Sequence, residues 1–157
     1  MIQERAITSQ RPAALLWPAL ARFDYRSMSH QLTITVHPEK YAICRLDTGA
    51  AVPAWASGAR FLSITRTALE LSVVCEDSMV PETVHAERGR RLLQIEGTLA
   101  FSLTGVLASV AEPLAKAEVS IFAVSTYDTD YLLVSEKDLH RAMEVLDAAG
   151  HAVRQSV

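Results

Sequence analysis

The sequence predicts an α+β fold made of two ferredoxin-like (βαββαβ) units in tandem, the first degenerate, with its helices shortened to single turns. From Leu92 onward, apolar residues switch between strand and helix spacing in the order β-α-β-β-α-β, which is the split βαβ arrangement. The part before Leu92 repeats that strand order faintly, without an exact internal repeat. Hydrophobic residues make up 50% of the 157 and charged residues 21%. That is ordinary globular usage, enough for a sizeable core without metals or disulfides. The expected organisation is an N-terminal extension over 1–30, a first unit over 31–91 and a second over 92–157.

The extension has a different texture. Arg11-Pro-Ala-Ala-Leu-Leu-Trp-Pro18 carries apolar residues but two prolines and no clean period. Weak order is expected there. Met28, just before the first strand-like run, is one candidate for the native start. A short arm or helix that packs on a partner is the other reading.

Strand texture begins at Leu32-Thr-Ile-Thr-Val36, which alternates and is β-branched. His37-Pro38-Glu39-Lys40 reads as a turn, and Tyr41–Leu46 as the next strand. Pro53 is placed to open a single helical turn over Val52–Ala56. Phe61–Thr65 and Leu69–Val74 read as a hairpin, Pro81-Glu-Thr83 as another short helical turn, and Leu92–Ile95 as a strand ending at Gly97.

In the second half, Leu103, Val106, Leu107, Val110 and Leu114 fall on one helical face. Pro113 removes one internal hydrogen bond, so a kink is expected. Val119–Val124 is a buried-type strand, Ser125–Asp130 a polar turn and Tyr131–Val134 the returning strand. Ser135, with Asp138 three residues on, has capping-box spacing. The helix it opens should bury Leu139, Ala142, Met143 and Leu146 and end with Gly150 at C′. Ala152-Val153 begins a last short strand.

Several function classes lose support. Net charge is −3 without a dense basic run, which argues against a nucleic-acid partner. No apolar stretch reaches the roughly 18 residues a spanning helix needs, and the first residues lack a signal-peptide core, so a cytoplasmic location and no membrane are expected. Phosphate-binding, zinc-protease and nucleophile-elbow motifs are absent, and no nucleophile stands beside a base. No catalytic residue, metal site or cofactor is therefore expected. His30, His37, His85, His140 and His151 read as surface or structural. Cys44 and Cys75 lie in apolar runs and read as buried free thiols.

One constellation is suited to binding. In a βαββαβ unit the start of the first helix lies beside the strand that follows it. Here that start is Ser102-Leu-Thr-Gly105-Val106. Its free N–H groups and positive dipole end favour an anion such as an α-carboxylate, and Gly105 permits close approach. Ser102 and Thr104 either cap the helix or touch a ligand. Opposite stand Ile121 and Phe122, whose backbone offers acceptors, and then Ser125, Thr126, Thr129 and Asp130. Asp130 pairs with an ammonium or a cationic side chain in one reading; in the other, Asp128 and Asp130 are solvated turn residues. A zwitterion would find donors at one end and acceptors at the other.

The runs Phe101-Ser-Leu-Thr-Gly-Val-Leu-Ala108 and Val119-Ser-Ile-Phe-Ala-Val-Ser-Thr-Tyr-Asp-Thr-Asp-Tyr-Leu-Leu-Val134 resemble the tandem ACT-domain family, in particular small bacterial members similar to the regulatory part of aspartate kinase. Tyr41–Leu46 and Phe61–Arg66 resemble its first copy. The resemblance covers about residues 31–155 and implies paired ferredoxin-like units, an amino-acid ligand between ACT units and commonly a homodimer. It implies an allosteric, non-catalytic role, with a regulated enzyme as a possible partner; the alternative is an interaction or oligomerisation module without a small ligand. It places ligand contacts on Ser102, Thr104, Gly105, Val106, Ile121, Phe122, Ser125, Thr126, Thr129 and Asp130. Glu118 stands where the family often has Gly and must then adopt a helix-terminating conformation. Ala100 stands where relatives often carry Asp.

Overall fold

A computed structural model of the chain describes residues 31–156; the expected extension over 1–30, with Met28 and His30, lies outside the described residues. The α+β class is as expected. Among the described residues seven strands form one sheet: β1 (Thr33–Leu46), β2 (Ser63–Arg66), β3 (Leu71–Glu76), β4 (Ala86–Ile95), β5 (Ile121–Ser125), β6 (Asp130–Ser135) and β7 (Ala152–Gln155). Two helices, α1 (Val106–Lys116) and α2 (Leu139–Ala148), lie in the second half. The sheet runs β2-β3-β1-β4-β6-β5, with β7 alongside β1.

β1 organises the sheet. Its first half pairs in parallel with β7 (Thr33 opposite Ala152, Val36 opposite Gln155) and its second half pairs antiparallel with β3. β4 runs along its other edge. A four-stranded unit closed within residues 92–157 would seat β7 beside β4. Instead β1 stands between them, because β7 is held to β1 and Glu96 receives both Thr35 Oγ1 and the Arg154 guanidinium. The expected turn at His37–Lys40 is also corrected. These residues stay in the strand as an irregularity, with a register shift against β4 between Val36 and Lys40. Such an irregularity is where a sheet admits Pro38, and Arg91 Nη2 donates to the His37 carbonyl there at 2.9 Å.

Alternation sorts the core. Ile34, Val36, Leu93, Ile95, Leu132 and Val134 are buried beneath Val106, Val110 and Leu114 of α1 and Leu139, Ala142 and Leu146 of α2. Each of these Val, Leu and Ile side chains contributes about 1.5–3 kcal/mol on full burial. Leu103 precedes the helix and is exposed, as is Leu107, so the stripe is narrower than the sequence implied. In the first half, Ala42, Cys44, Leu71, Val73 and Cys75 pack under Ala56 and Val80. Ala56 sits on a 3-10 turn (Ala54–Ala56) entered from Pro53, as expected. A further 3-10 turn is Asp77–Met79, not Pro81–Thr83, where the chain makes only a hydrogen-bonded turn from Val84 N to Pro81 O. On the opposite face of the sheet Tyr41, Val74, Leu92 and Leu133 form a smaller cluster.

The helix ends differ in detail from expectation. Gly105, with φ of 83°, is the N-cap of α1, so the cap is a glycine rather than Ser102 or Thr104. Glu118 takes φ of 57°, the helix-terminating conformation that its position demanded. Ser135 makes no side-chain cap bond; a 3-10 turn (Glu136–Asp138) intervenes, and Asp138 instead pairs with Arg141 at 2.8 Å. Gly150, with φ of 95°, follows α2 as expected.

Candidate functional site

α1 begins where the β4–α1 connection meets the β5–β6 hairpin. Two bonds tie these segments together: Leu99 N donates to Asp128 O at 2.7 Å, and Thr129 Oγ1 donates to Ile95 O at 2.6 Å. Between them lies a cleft of about 360 Å³, bounded by residues 99–108 on one side and 125–130 on the other. That lies within the volume usual for small-ligand sites.

Six predicted site residues line this cleft: Gly105, Val106, Ser125, Thr126, Thr129 and Asp130. The N–H groups of Val106, Leu107 and Ala108 lie in the first turn of α1 and lack intrahelical acceptors, so the positive end of the helix faces the cleft. Asp130 stands opposite Ser125 in the β5–β6 register, and Ser125 Oγ donates to its carboxylate. The threonines act differently from expectation. Thr126 N and Oγ1 both donate to Thr129 O, at 2.8 and 2.9 Å, while Thr129 Oγ1 is committed to Ile95 O. Their hydroxyls build the hairpin loop, which leaves the carboxylates of Asp128 and Asp130 and the first-turn amides of α1 as polar groups on the cleft walls.

Four predicted residues lie elsewhere. Ser102 and Thr104 are exposed and do not line the cleft. Ile121 packs on the helix-side core, and Phe122 lies opposite Leu133 on the other sheet face, several residues along β5 from the cleft. The physical reason is register: only the Ser125 end of β5 reaches the α1 start. Sequence reasoning missed the aromatic rim. Phe101 and Tyr127, 80% and 79% exposed, meet edge-to-face across the two cleft walls with centroids 5.1 Å apart. Asp128 is a second carboxylate on the lining. Its place inside the Ser125–Asp130 run was the available signal.

Other chemistry is structural. Cys44 and Cys75 are buried free thiols. Burial pushes both up, Cys75 to about 12, so neither is a thiolate nucleophile at neutral pH. Among the described residues no group of His, Cys, Asp and Glu is arranged to hold a metal, and no helix is long and apolar enough to cross a membrane. His37 bonds Gln94, His140 pairs with Glu144, and His151 is buried.

Comparison with known proteins agrees with this fold. An ACT-domain family model matches residues 85–148, and a model of an N-terminal domain matches 39–83. A solved protein from Agrobacterium tumefaciens is 38% identical, covers 82% of this chain and 96% of its own, and superposes with a TM-score of 0.78. The chain belongs to the ACT-domain family. Over 57 residues this ACT protein is 39% identical to the cytosolic arginine sensor for mTORC1 subunit 1 of Homo sapiens. That match spans 36% of this chain and only 17% of the sensor. The solved aspartokinase alpha and beta subunits share the ACT fold at 16% identity and a TM-score of 0.54, over 74% of this chain and 96% of theirs.

Proposed function

We propose that this ACT protein is a non-catalytic regulator that binds a free amino acid in the cleft between α1 and the β5–β6 hairpin. The observation that carries this reading is the convergence of the open α1 N-terminus and the Asp130 carboxylate on one cleft. The α-carboxylate accepts from the amides of the first turn, and the α-ammonium pairs with Asp130, which Ser125 orients. Two carboxylates line the cleft, one more than an ammonium needs, and an aromatic pair rims it. That favours a basic amino acid, whose cationic side chain gains from both Asp128 and the rings. The partial likeness to a sensor named for arginine supports the same class.

Binding acts on function only through a difference in affinity between two states. Phe101, Leu103, Leu107 and Tyr127 leave apolar surface open at the cleft mouth. We read it as the place where a second copy, forming a homodimer, or a regulated enzyme associates, in a cytoplasmic setting. The two halves, 31–91 and 92–157, would be ACT-like copies sharing β1. The same exposed surface favours the second reading, an interaction module without a small ligand.

The test is thermal unfolding of the full chain against each of the twenty common amino acids at millimolar concentration. A ligand specific to the folded state stabilises by about 2.7 kcal/mol at a hundredfold excess over its dissociation constant. A rise with one or a few amino acids that is lost in Asp130→Ala supports sensing. A flat response from folded protein rejects it in favour of the interaction module.

A further inference from the structure

A second cleft, of about 430 Å³, lies on the sheet face opposite the helices. Its walls include Glu39 and Tyr41 of β1, Arg60 and Phe61 before β2, and Tyr131 of β6. Three rings line up across it. Tyr41 meets Phe61 edge-on at 5.9 Å, and Phe61 lies 4.8 Å from Tyr131 at a tilt of 50°. Alternation along β6 gives Asp130 to the first cleft and Tyr131 to this one.

The charges here are poorly balanced. Glu76 stands opposite Tyr41 in the β1–β3 register and is only 8% exposed. Its Oε1 accepts Arg60 N at 2.9 Å, but its Oε2 is buried without a partner among the described residues. No described cation forms an ion pair with it. A buried carboxylate without a counter-charge is costly. Among the described residues Glu39 has only the Arg60 guanidinium, at 3.5 Å, on a side chain that is 86% exposed. A pair so long and so solvated contributes little. The Tyr41 phenol reports the local field. Burial holds it well above its ordinary value, the charges of Glu39 and Glu76 add to this, and Arg60 opposes. The lining is thus aromatic, with Glu39 facing a largely solvated Arg60 and the buried Glu76 carboxylate behind Tyr41, a combination that attracts a cation.

We propose that this cleft binds a small organic cation of the substituted-ammonium class, with its charge beside Glu39, within the field of Glu76, and its alkyl groups against Phe61 and Tyr131. The site is independent of the amino-acid cleft, and its test separates the two. Choline chloride and tetramethylammonium chloride are titrated into the full chain while the ring resonances of Phe61 and Tyr131 are followed by NMR, with sodium chloride at equal ionic strength as reference. Saturable shifts are expected with both cations. Glu39→Gln and Phe61→Leu should each weaken binding about fivefold, equivalent to ~1 kcal/mol for one cation–π or charge contact. Asp130→Ala should leave it unchanged. Shifts no larger than those from sodium chloride overturn the proposal. So does binding that both variants retain, or binding of benzoate in place of the cations that depends on Arg60.

Discussion

His151 supplies to α1 the hydrogen bond that Pro113 withholds. A proline at 113 has no N–H for the carbonyl four residues earlier, Ser109. His151 Nε2 stands 3.2 Å from that carbonyl, and Leu32 N points at Nδ1 from 3.4 Å. The arrangement needs the neutral ring with its proton on Nε2. One buried side chain thereby joins α1, the entry to β1 and the entry to β7, and α1 runs through Pro113 as one helix. Replacing His151 with Leu leaves a carbonyl and an amide unpaired, and should cost about 1–3 kcal/mol in denaturant unfolding. In a Pro113→Ala background the restored N–H meets Ser109 O, so the same substitution should cost less. A double-mutant cycle should give a coupling of roughly 1 kcal/mol; additive effects would show that the two residues act separately.

Glu118 is the one described non-glycine residue with positive φ, at 57°. It ends α1 while Val119 N bonds back to Leu114 O at 2.9 Å. Its left-handed conformation costs an L-residue roughly 1–2 kcal/mol, partly offset because Gly loses more entropy on folding. Glu118→Gly should therefore raise stability by about 0.5–1 kcal/mol, read as a higher thermal midpoint. A lower midpoint would mean that the Glu118 side chain makes a compensating contact.

The sequence disclosed local features and hid those set by distant pairing. Val106, Val110 and Leu114 were legible because they share a helical period and all three are buried. Leu103 was not, because the left-handed Gly105 starts the helix after it. His37-Pro38 misled, since the signals that end a strand also mark an irregularity within one. The β1–β7 pairing joins residues more than a hundred positions apart and leaves no local trace. At the site, Ser125, Thr126, Thr129 and Asp130 were legible as one polar hairpin. Phe101 carries no periodicity, and only the folded chain brings it to Tyr127.

Acid should loosen the β7 end of the sheet. Arg154 and Thr35 both bond the Glu96 carboxylate and hold it below its ordinary value of 4.5. A carboxyl depressed in the folded state stabilises above its unfolded value, and that contribution is lost as pH falls through the folded value. The stability gap between wild type and Glu96→Gln should thus be full near neutrality and shrink below about pH 4.5. Unfolding series at stepped pH measure it; a gap constant down to the acid limit would show that the network carries no charge-dependent stability.

Thr129 joins the site to the sheet. Its hydroxyl donates to Ile95 O at 2.6 Å from a buried position, and its carbonyl accepts from Thr126 N and Oγ1. The hairpin loop that carries Asp128 and Asp130 is thereby fixed against β4. Thr129→Val keeps the volume but strands the Ile95 carbonyl, and should cost about 1–2 kcal/mol. Amides 126–129 should exchange hydrogen faster, since the loop loses its anchor. If the cleft binds an amino acid, the same variant should weaken that binding although its hydroxyl touches no ligand, because Asp130 is no longer held opposite α1. Faster exchange with unchanged affinity would mean that Asp130 is positioned by Ser125 alone.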